Sequence, residues 1–327
     1  MDLDFEIGNY SDWRAVPAIE HIPVLQQEVL AYLRPQPDRI YLDATVGGGG
    51  HAWQILKASS PTGILVGIDL DTEALKIARE HLSPFEGRFT LIQGNYEDLQ
   101  AILARMEIAQ IHGVLLDLGA STFQLKEPER GFSFREEGPL DMRMDREKRL
   151  TAAELVNTLS EEELKELIGR YGEERWAGRV ARSICQARER KPLASTRELA
   201  EIVATAIPRA CHPRRIHPAT KTFQALRIAV NGELESLVHS IEDAVDLLAP
   251  GGRICVISFH SLEDRLVKHT FRKLEKGCIC PPFFPACRCG KESSLKVLTR
   301  HPVTPSAEEV GKNPSSRSSK LRAAERI

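Results

Sequence analysis

The stretch Ile40-Tyr-Leu-Asp-Ala-Thr-Val-Gly-Gly-Gly-Gly-His51 decides the fold. Residues 40–44 are a short apolar run with strand character, four consecutive glycines follow, and residues 51–58 have helical spacing. Four glycines in a row cost backbone entropy on folding, so such a run persists where the chain must bend sharply or approach a ligand closely. The next strand, residues 64–69, is a near-continuous apolar run ending in an acid, Asp69. Strand, glycine turn, helix and acid-ended strand together open a doubly wound α/β sheet that holds a nucleotide-like ligand.

Working outward, the alternation continues. Residues 72–82 read as a helix with Leu75, Ala78 and Leu82 on one face, 89–93 as a third strand, 97–105 as a helix and 114–118 as a fourth strand. The rhythm then stops. Residues 125–232 show no strand pattern, and Thr151-Ala-Ala-Glu154 and Ser160-Glu-Glu-Glu163 read as capping boxes that each open a helix. Residues 177–188, 195–207 and 220–230 read as further helices, with Pro192, Pro208, Pro213 and Pro218 as breakers. A helix at 234–248, a turn at Pro250-Gly-Gly252, a strand at 253–258 and a helix at 261–274 resume the α/β pattern, with one more short strand at 295–298. The expected organisation is an acidic N-terminal extension (1–20), an α/β domain (21–124 and 233–311), an all-helical insertion (125–232) and a basic C-terminal tail (312–327).

The chain has 327 residues and a formal net charge of −2, which excludes a uniformly basic coat protein and an acidic solvating tail. That near-zero sum hides a split: residues 175–227 hold 12 bases and 3 acids, while residues 1–124 hold 8 bases and 17 acids. A surface this lopsided points to a polyanionic partner, with Arg209, Arg214, Arg215, Lys221 and Arg227 as the candidate contacts and the tail arginines adding to them. No apolar run approaches the ~18 residues of a membrane span. The acidic, non-apolar residues 1–20 do not read as a signal peptide. Seven cysteines, four of them between Cys278 and Cys289, do not form a secreted disulfide framework, so a cytoplasmic location is expected.

A glycine loop of this kind serves both dinucleotides and S-adenosylmethionine, and Asp43 weighs between them. A carboxylate beside the helix N-terminus repels a pyrophosphate and favours the ammonium and sulfonium of S-adenosylmethionine. The loop also lacks a Gly-x-Gly-x-x-Gly in register. Asp69 suits ribose hydroxyls, Tyr96 in Gly94-Asn-Tyr-Glu-Asp98 suits stacking on a base, and Asp117 at the end of the fourth strand suits the reacting group.

Several ordered motifs then make the chain recognisable: Gly47-Gly-Gly-Gly-His51, Asp117-Leu-Gly-Ala-Ser121, Arg130-Gly-Phe-Ser-Phe134, Gly138-Pro-Leu-Asp-Met-Arg-Met-Asp145, Thr220 to Asn231, Val256 to Arg265 and Ser318 to Arg326. With these the chain resembles the RsmH (MraW) family, bacterial 16S ribosomal RNA cytosine-N4 methyltransferases. The resemblance implies a Rossmann-like class I fold dependent on S-adenosylmethionine, and a cytidine of 16S rRNA, within the small ribosomal subunit, as substrate. It implies donor contacts at Gly49, Gly50, His51, Asp69, Tyr96, Asp117 and Gln124. The family usually reads Ser-Ser-Pro-Gln where this chain has Ser121-Thr-Phe-Gln124, and residues 1–20 lie outside its pattern.

The N4 amine of cytosine is a poor nucleophile because its lone pair is delocalised into the ring. A methyltransferase must accept the N4 hydrogens and hold nitrogen in line with the sulfonium methyl. Many amino-methyltransferases place Asp-Pro-Pro-Tyr after the fourth strand; here the site holds Asp117-Leu-Gly-Ala-Ser121, so Asp117 is the expected acceptor. His260, after the fifth strand, reads as a helix cap or buried structural histidine, with contact to the base as the alternative. Cys278-x-Cys280 and Cys287-x-Cys289 could supply four thiolates to zinc, but their spacing is tighter than usual, and thiols or a reversible disulfide fit equally. No metal is assigned on sequence grounds.

Overall fold

The computed structural model describes residues 23–327 apart from 122, 123, 126, 215, 279, 282, 283, 285 and 287. The proposed extension at 1–20 therefore lies outside the described residues.

The alternation read from the sequence is observed. Strands β1 (Ile40–Asp43), β2 (Ile64–Asp69), β3 (Phe89–Gln93), β4 (Ile111–Asp117) and β5 (Leu248–Ser258) are mutually parallel and stand in the order β3-β2-β1-β4-β5. Their near-continuous apolar character has a direct cause, because both faces of the sheet are covered. On β1, Tyr41 packs with α1 (Gln26–Leu33), α2 (Gly50–Ala58) and α3 (Thr72–Leu82), while Leu42 packs with α4 (Leu99–Arg105), α10 (Glu233–Leu247) and α11 (Ser261–Glu275). Consecutive residues point to opposite faces, so one strand feeds two cores. The order reverses between β1 and β4, and that switch point is where an open α/β sheet leaves a crevice at its carboxyl edge.

Between β4 and β5, the named elements are helical: α5 (Ala152–Thr158), α6 (Glu161–Gly172), α7 (Ala177–Arg188), α8 (Thr196–Ala206) and α9 (Thr220–Asn231), with short 3-10 turns. Both capping boxes form: the Thr151 and Ser160 hydroxyls accept from the amides of Glu154 and Glu163, whose carboxylates accept in return. These helices close on a core of their own that includes Val156, Leu164, Ile168, Val180, Leu199, Val203, Phe223 and Leu226.

The C-terminal segment corrects the sequence reading. Residues 312–327 are not a tail. They contribute β7 (Lys320–Arg326), which inserts antiparallel between β5 and β6 (Leu295–Val297) and completes a seven-stranded sheet. Two of its bases meet Asp264. Arg322 is 5% exposed and its Nε donates to Asp264 Oδ1 at 2.6 Å, and Lys320 lies 3.7 Å from Asp264. The helix α12 (Ala307–Lys312) also reaches back, with Glu309 Oε1 accepting from the Leu25 amide at 2.7 Å ahead of α1. Among the described residues no helix is long and apolar enough to cross a membrane.

Candidate active site at the carboxyl edge of the sheet

The crevice at the switch point is a cleft of about 270 Å³, lined by the glycine turn, by Asp69, Tyr96 and Asp117, and by Arg227, Glu233 and Glu263 on its other side. The glycine turn follows from local chemistry. Gly47 adopts φ 51° and donates its amide to Asp69 Oδ2 at 2.8 Å, tying the end of β1 to the end of β2. Gly50 opens α2 with Pro23 so close that a Cβ would meet its Cγ at 2.6 Å.

Acids dominate the site. Asp69 accepts from the amides of Gly47 and Asp71, yet burial outweighs those bonds and, with Asp71 nearby, pushes its carboxyl up to about 6. Asp43 is 1% exposed and pushed up to about 7, mainly by burial, with Asp69 adding repulsion and the Thr45 amide opposing. Asp117 is held well above the ordinary carboxylate range by burial first, then by the negative neighbours Asp43 and Glu263. Its amide donates to Thr45 Oγ1 at 2.6 Å, its Oδ2 lies 3.8 Å from His51 Nε2, and its Oδ1 has no hydrogen-bond partner among the described residues.

The opposite wall holds a compensated cluster. Arg227 donates through Nε and Nη2 to the two carboxylate oxygens of Glu233 at 2.9 and 2.8 Å and lies 3.9 Å from Glu263. Burial works against the Arg227 cation, but Glu233 and Glu263 more than offset it and raise its pKa. Glu263 is buried, which favours its neutral form. His260, Arg227 and the Phe259 amide outweigh that and hold it below its usual value.

Of the donor contacts expected from the sequence, Gly50, His51, Asp69, Tyr96, Asp117 and Gln124 line the cleft. Gly49 does not: at φ 81° it packs against α3, where a Cβ would meet Ala78 at 3.3 Å, and Gly47 and Gly48 line the cleft in its place. Asp43 likewise sits behind the wall rather than in it, so it acts through its field. Gln124 lines the cleft while its own groups are engaged: Oε1 accepts from the Ser121 amide and Nε2 donates to Asp71 Oδ2. Tyr96 is hydrogen-bonded to Ser236, and burial raises its hydroxyl's pKa. His260 caps α11, its Nδ1 accepting from the Glu263 amide at 3.3 Å, with Nε2 3.1 Å from Glu263 Oε1.

The basic set divides. Arg209 and Arg214 are exposed on the insertion, and Lys221 is half-buried with Nζ donating to the Glu173 carbonyl at 2.8 Å. Arg215 lies outside the described residues. Arg227 is corrected: it is six residues beyond Lys221 on α9, a rotation of about 240°, so it faces the cleft and not the outer surface.

Three features escaped the sequence reading. Arg130 Nη1 donates to Asp71 Oδ2 at 2.8 Å, both side chains nearly inaccessible, and Arg130 Nη2 donates to the Arg143 and Met144 carbonyls. This ties the cap of α3 to the first part of the insertion, ahead of α5. The quoted motif Arg130 to Phe134 was the only signal. Glu233 and Glu263 were missed because acids on helices usually read as solvated. Ser315 brings the C-terminal segment to the cleft, which no local pattern announces.

Among solved structures, the chain is similar to a putative rRNA methylase from Clostridium thermocellum, with a TM-score of 0.44 and 11% identity over 92% of this chain and 95% of that chain. A likeness that loose carries no argument. Sequence relatives are much nearer. Ribosomal RNA small subunit methyltransferase H of Syntrophus aciditrophicus is 54% identical over 307 residues, 94% of this chain and 98% of its own length. That of Geotalea daltonii is 53% identical over 308 residues, 94% and 99% respectively. The family described as the MraW methylase family matches residues 18–327. Matched over nearly all of its length, the glycine turn, the acidic cleft and the helical insertion included, the chain belongs to the MraW methylase family.

Proposed function

We propose that this methylase modifies small-subunit ribosomal RNA, transferring the methyl group of S-adenosylmethionine to the exocyclic N4 of a cytidine in 16S rRNA, in the cytoplasm. The observation that carries the proposal is Asp117: a half-buried carboxyl at the end of β4, in the cleft wall, with one oxygen unclaimed by any described residue. The residues fit the donor. Gly47, Gly48 and Gly50 would let backbone approach it, Asp69 would accept from ribose hydroxyls, Tyr96 would serve the adenine, and an acidic surround suits a cationic ligand.

When bound, S-adenosylmethionine supplies an electrophilic methyl on a sulfonium that leaves as a neutral thioether. The Asp117 carboxylate accepts a hydrogen bond from the N4 amine, localising the lone pair on nitrogen as attack begins. It then takes the proton that N4 must lose for the methylated amine to be neutral. A carboxyl with a raised pKa is suited to that acceptance and passes the proton on to water. His51, 3.8 Å away, confines the other oxygen. The Arg227–Glu233–Glu263 cluster holds the far wall rigid. The target base must leave its stack to reach the cleft, and the exposed bases of the insertion, Arg209 and Arg214 among them, hold the RNA backbone while it does.

The test is one assay: purified protein, labelled S-adenosylmethionine and small ribosomal subunits, with nucleoside analysis of the product. N4-methylated cytidine is the expected product. Label in another nucleoside removes the N4 assignment, and no transfer to subunits or to naked 16S rRNA removes the RNA substrate.

A further inference from the structure

Away from the cleft, Cys278, Cys280 and Cys289 converge on one point of the connection between α11 and β6. The connection is long. Residues 276–294 contain no helix or strand among the described residues, and unstructured connections beyond ~12–15 residues are uncommon in compact domains unless they serve a purpose or are stapled. Its base is zipped, with Ser293 Oγ donating to the Glu275 carbonyl at 2.8 Å and the Ser294 amide to the Leu274 carbonyl at 3.1 Å.

The three sulfurs lie within 4.8 Å of one another, and those of Cys278 and Cys289 are 3.9 Å apart. A disulfide would need ~2.05 Å. A tetrahedral zinc with Zn–S bonds of ~2.3 Å has sulfur–sulfur edges of about 3.8 Å. Backbone amides also aim at the sulfurs: Cys280 N–H donates to Cys278 Sγ and Arg288 N–H to Cys280 Sγ, both at 3.4 Å. Such bonds favour thiolate over thiol.

We propose that Cys278, Cys280 and Cys289 bind a zinc ion that staples this connection. Each thiol gives its proton to solvent as its sulfur bonds the metal, so no oxidant is required. Cys287, the remaining thiol of the motif, lies outside the described residues, and the proposal stands on the other three. The role is structural, because no described residue of the connection lines the cleft.

The experiment uses the full chain, purified without chelator from zinc-supplemented cells. Elemental analysis is expected to give about one zinc per chain, falling at least roughly tenfold in Cys289→Ser. Since that variant could simply misfold, wild-type protein is also stripped with chelator and titrated with zinc alone. Zinc is expected to protect three or more thiols from a thiol reagent, and cobalt(II) to give the intense thiolate-to-cobalt absorption of a tetrahedral sulfur site. Substoichiometric metal with no protection on titration overturns the proposal, as does a Cys278–Cys289 disulfide in the protein as isolated.

Discussion

The carboxyl of Asp117 sits where the fourth strand ends, in the cleft wall, with Oδ2 3.8 Å from His51 Nε2 and Oδ1 buried without a hydrogen-bond partner among the described residues. Replacing it by asparagine keeps the shape and removes the proton acceptor. Asp117→Asn is expected to lose about 10²-fold or more in methyl transfer while S-adenosylmethionine affinity changes only a few-fold. Thermal stability should hold or rise, because the burial that raises the Asp117 pKa disappears with the charge. An active Asp117→Asn enzyme would remove Asp117 from the mechanism. The neighbouring acids give a pH signature. Asp69 and Asp43, pushed up to about 6 and about 7, both lie above an unfolded value near 4. Their contribution to stability is therefore full in acid and lost as pH rises through 6 to 7. A cation in the cleft recovers that loss. The stabilisation by S-adenosylmethionine should thus grow from pH 5 to pH 8, its affinity weakening by up to about tenfold per unit below 7. S-adenosylhomocysteine, lacking the sulfonium charge, should show a shallower profile in the same thermal-shift titration. Equal profiles would mean that the acids do not sense the sulfonium.

At the scale of elements, the Arg130–Asp71 pair holds α3 to the first loop of the insertion, ahead of α5. Arg130→Met keeps volume but leaves a buried carboxylate without its cation, and is expected to cost about 3 kcal/mol in denaturant unfolding. Adding Asp71→Asn should recover part of that loss, and additive losses would show that the two are uncoupled. The elements themselves were unevenly legible. Strand β2 and helix α3 were read to the residue, and both capping boxes were read correctly, because their signals are local: an apolar run, a 3.6-residue period, a hydroxyl three residues before an acid. Strand β7 was not. Its Lys320-Leu-Arg-Ala-Ala-Glu-Arg326 has small apolar residues between charges, and becomes a strand only because β5 offers an edge and Asp264 a partner for Arg322. Helix α1 is short and was passed over for the same lack of local signal. Truncation after Asn313 removes β7, exposes that edge and is expected to give insoluble protein, measured by the soluble fraction on expression.

For the whole molecule, the net charge of −2 is the sum of an acidic sheet domain that gathers carboxylates around its cleft and an insertion whose exposed surface carries bases. RNA binding should therefore weaken steeply with salt. Arg209→Glu combined with Arg214→Glu is expected to weaken binding at every salt concentration and to flatten the dependence of log K on log salt by about 1–2. A filter-binding salt series measures both, and an unchanged slope would place the RNA elsewhere. The insertion's helices were legible, but its charges were only partly so. Arg227 belonged in sequence to the basic run, and helix rotation carried it into the cleft.

By itself the sequence determined the alternation of strands and helices, the glycine turn and its acid partners, and the helical character of residues 125–232, since each depends on neighbours a few positions apart. Only the tertiary structure decided which charges are spent on one another. Arg322 with Asp264, Arg227 with Glu233 and Arg130 with Asp71 are pairings between distant or rotated positions. Burial makes each pair obligatory, and burial is a property of the closed fold rather than of any stretch of the chain.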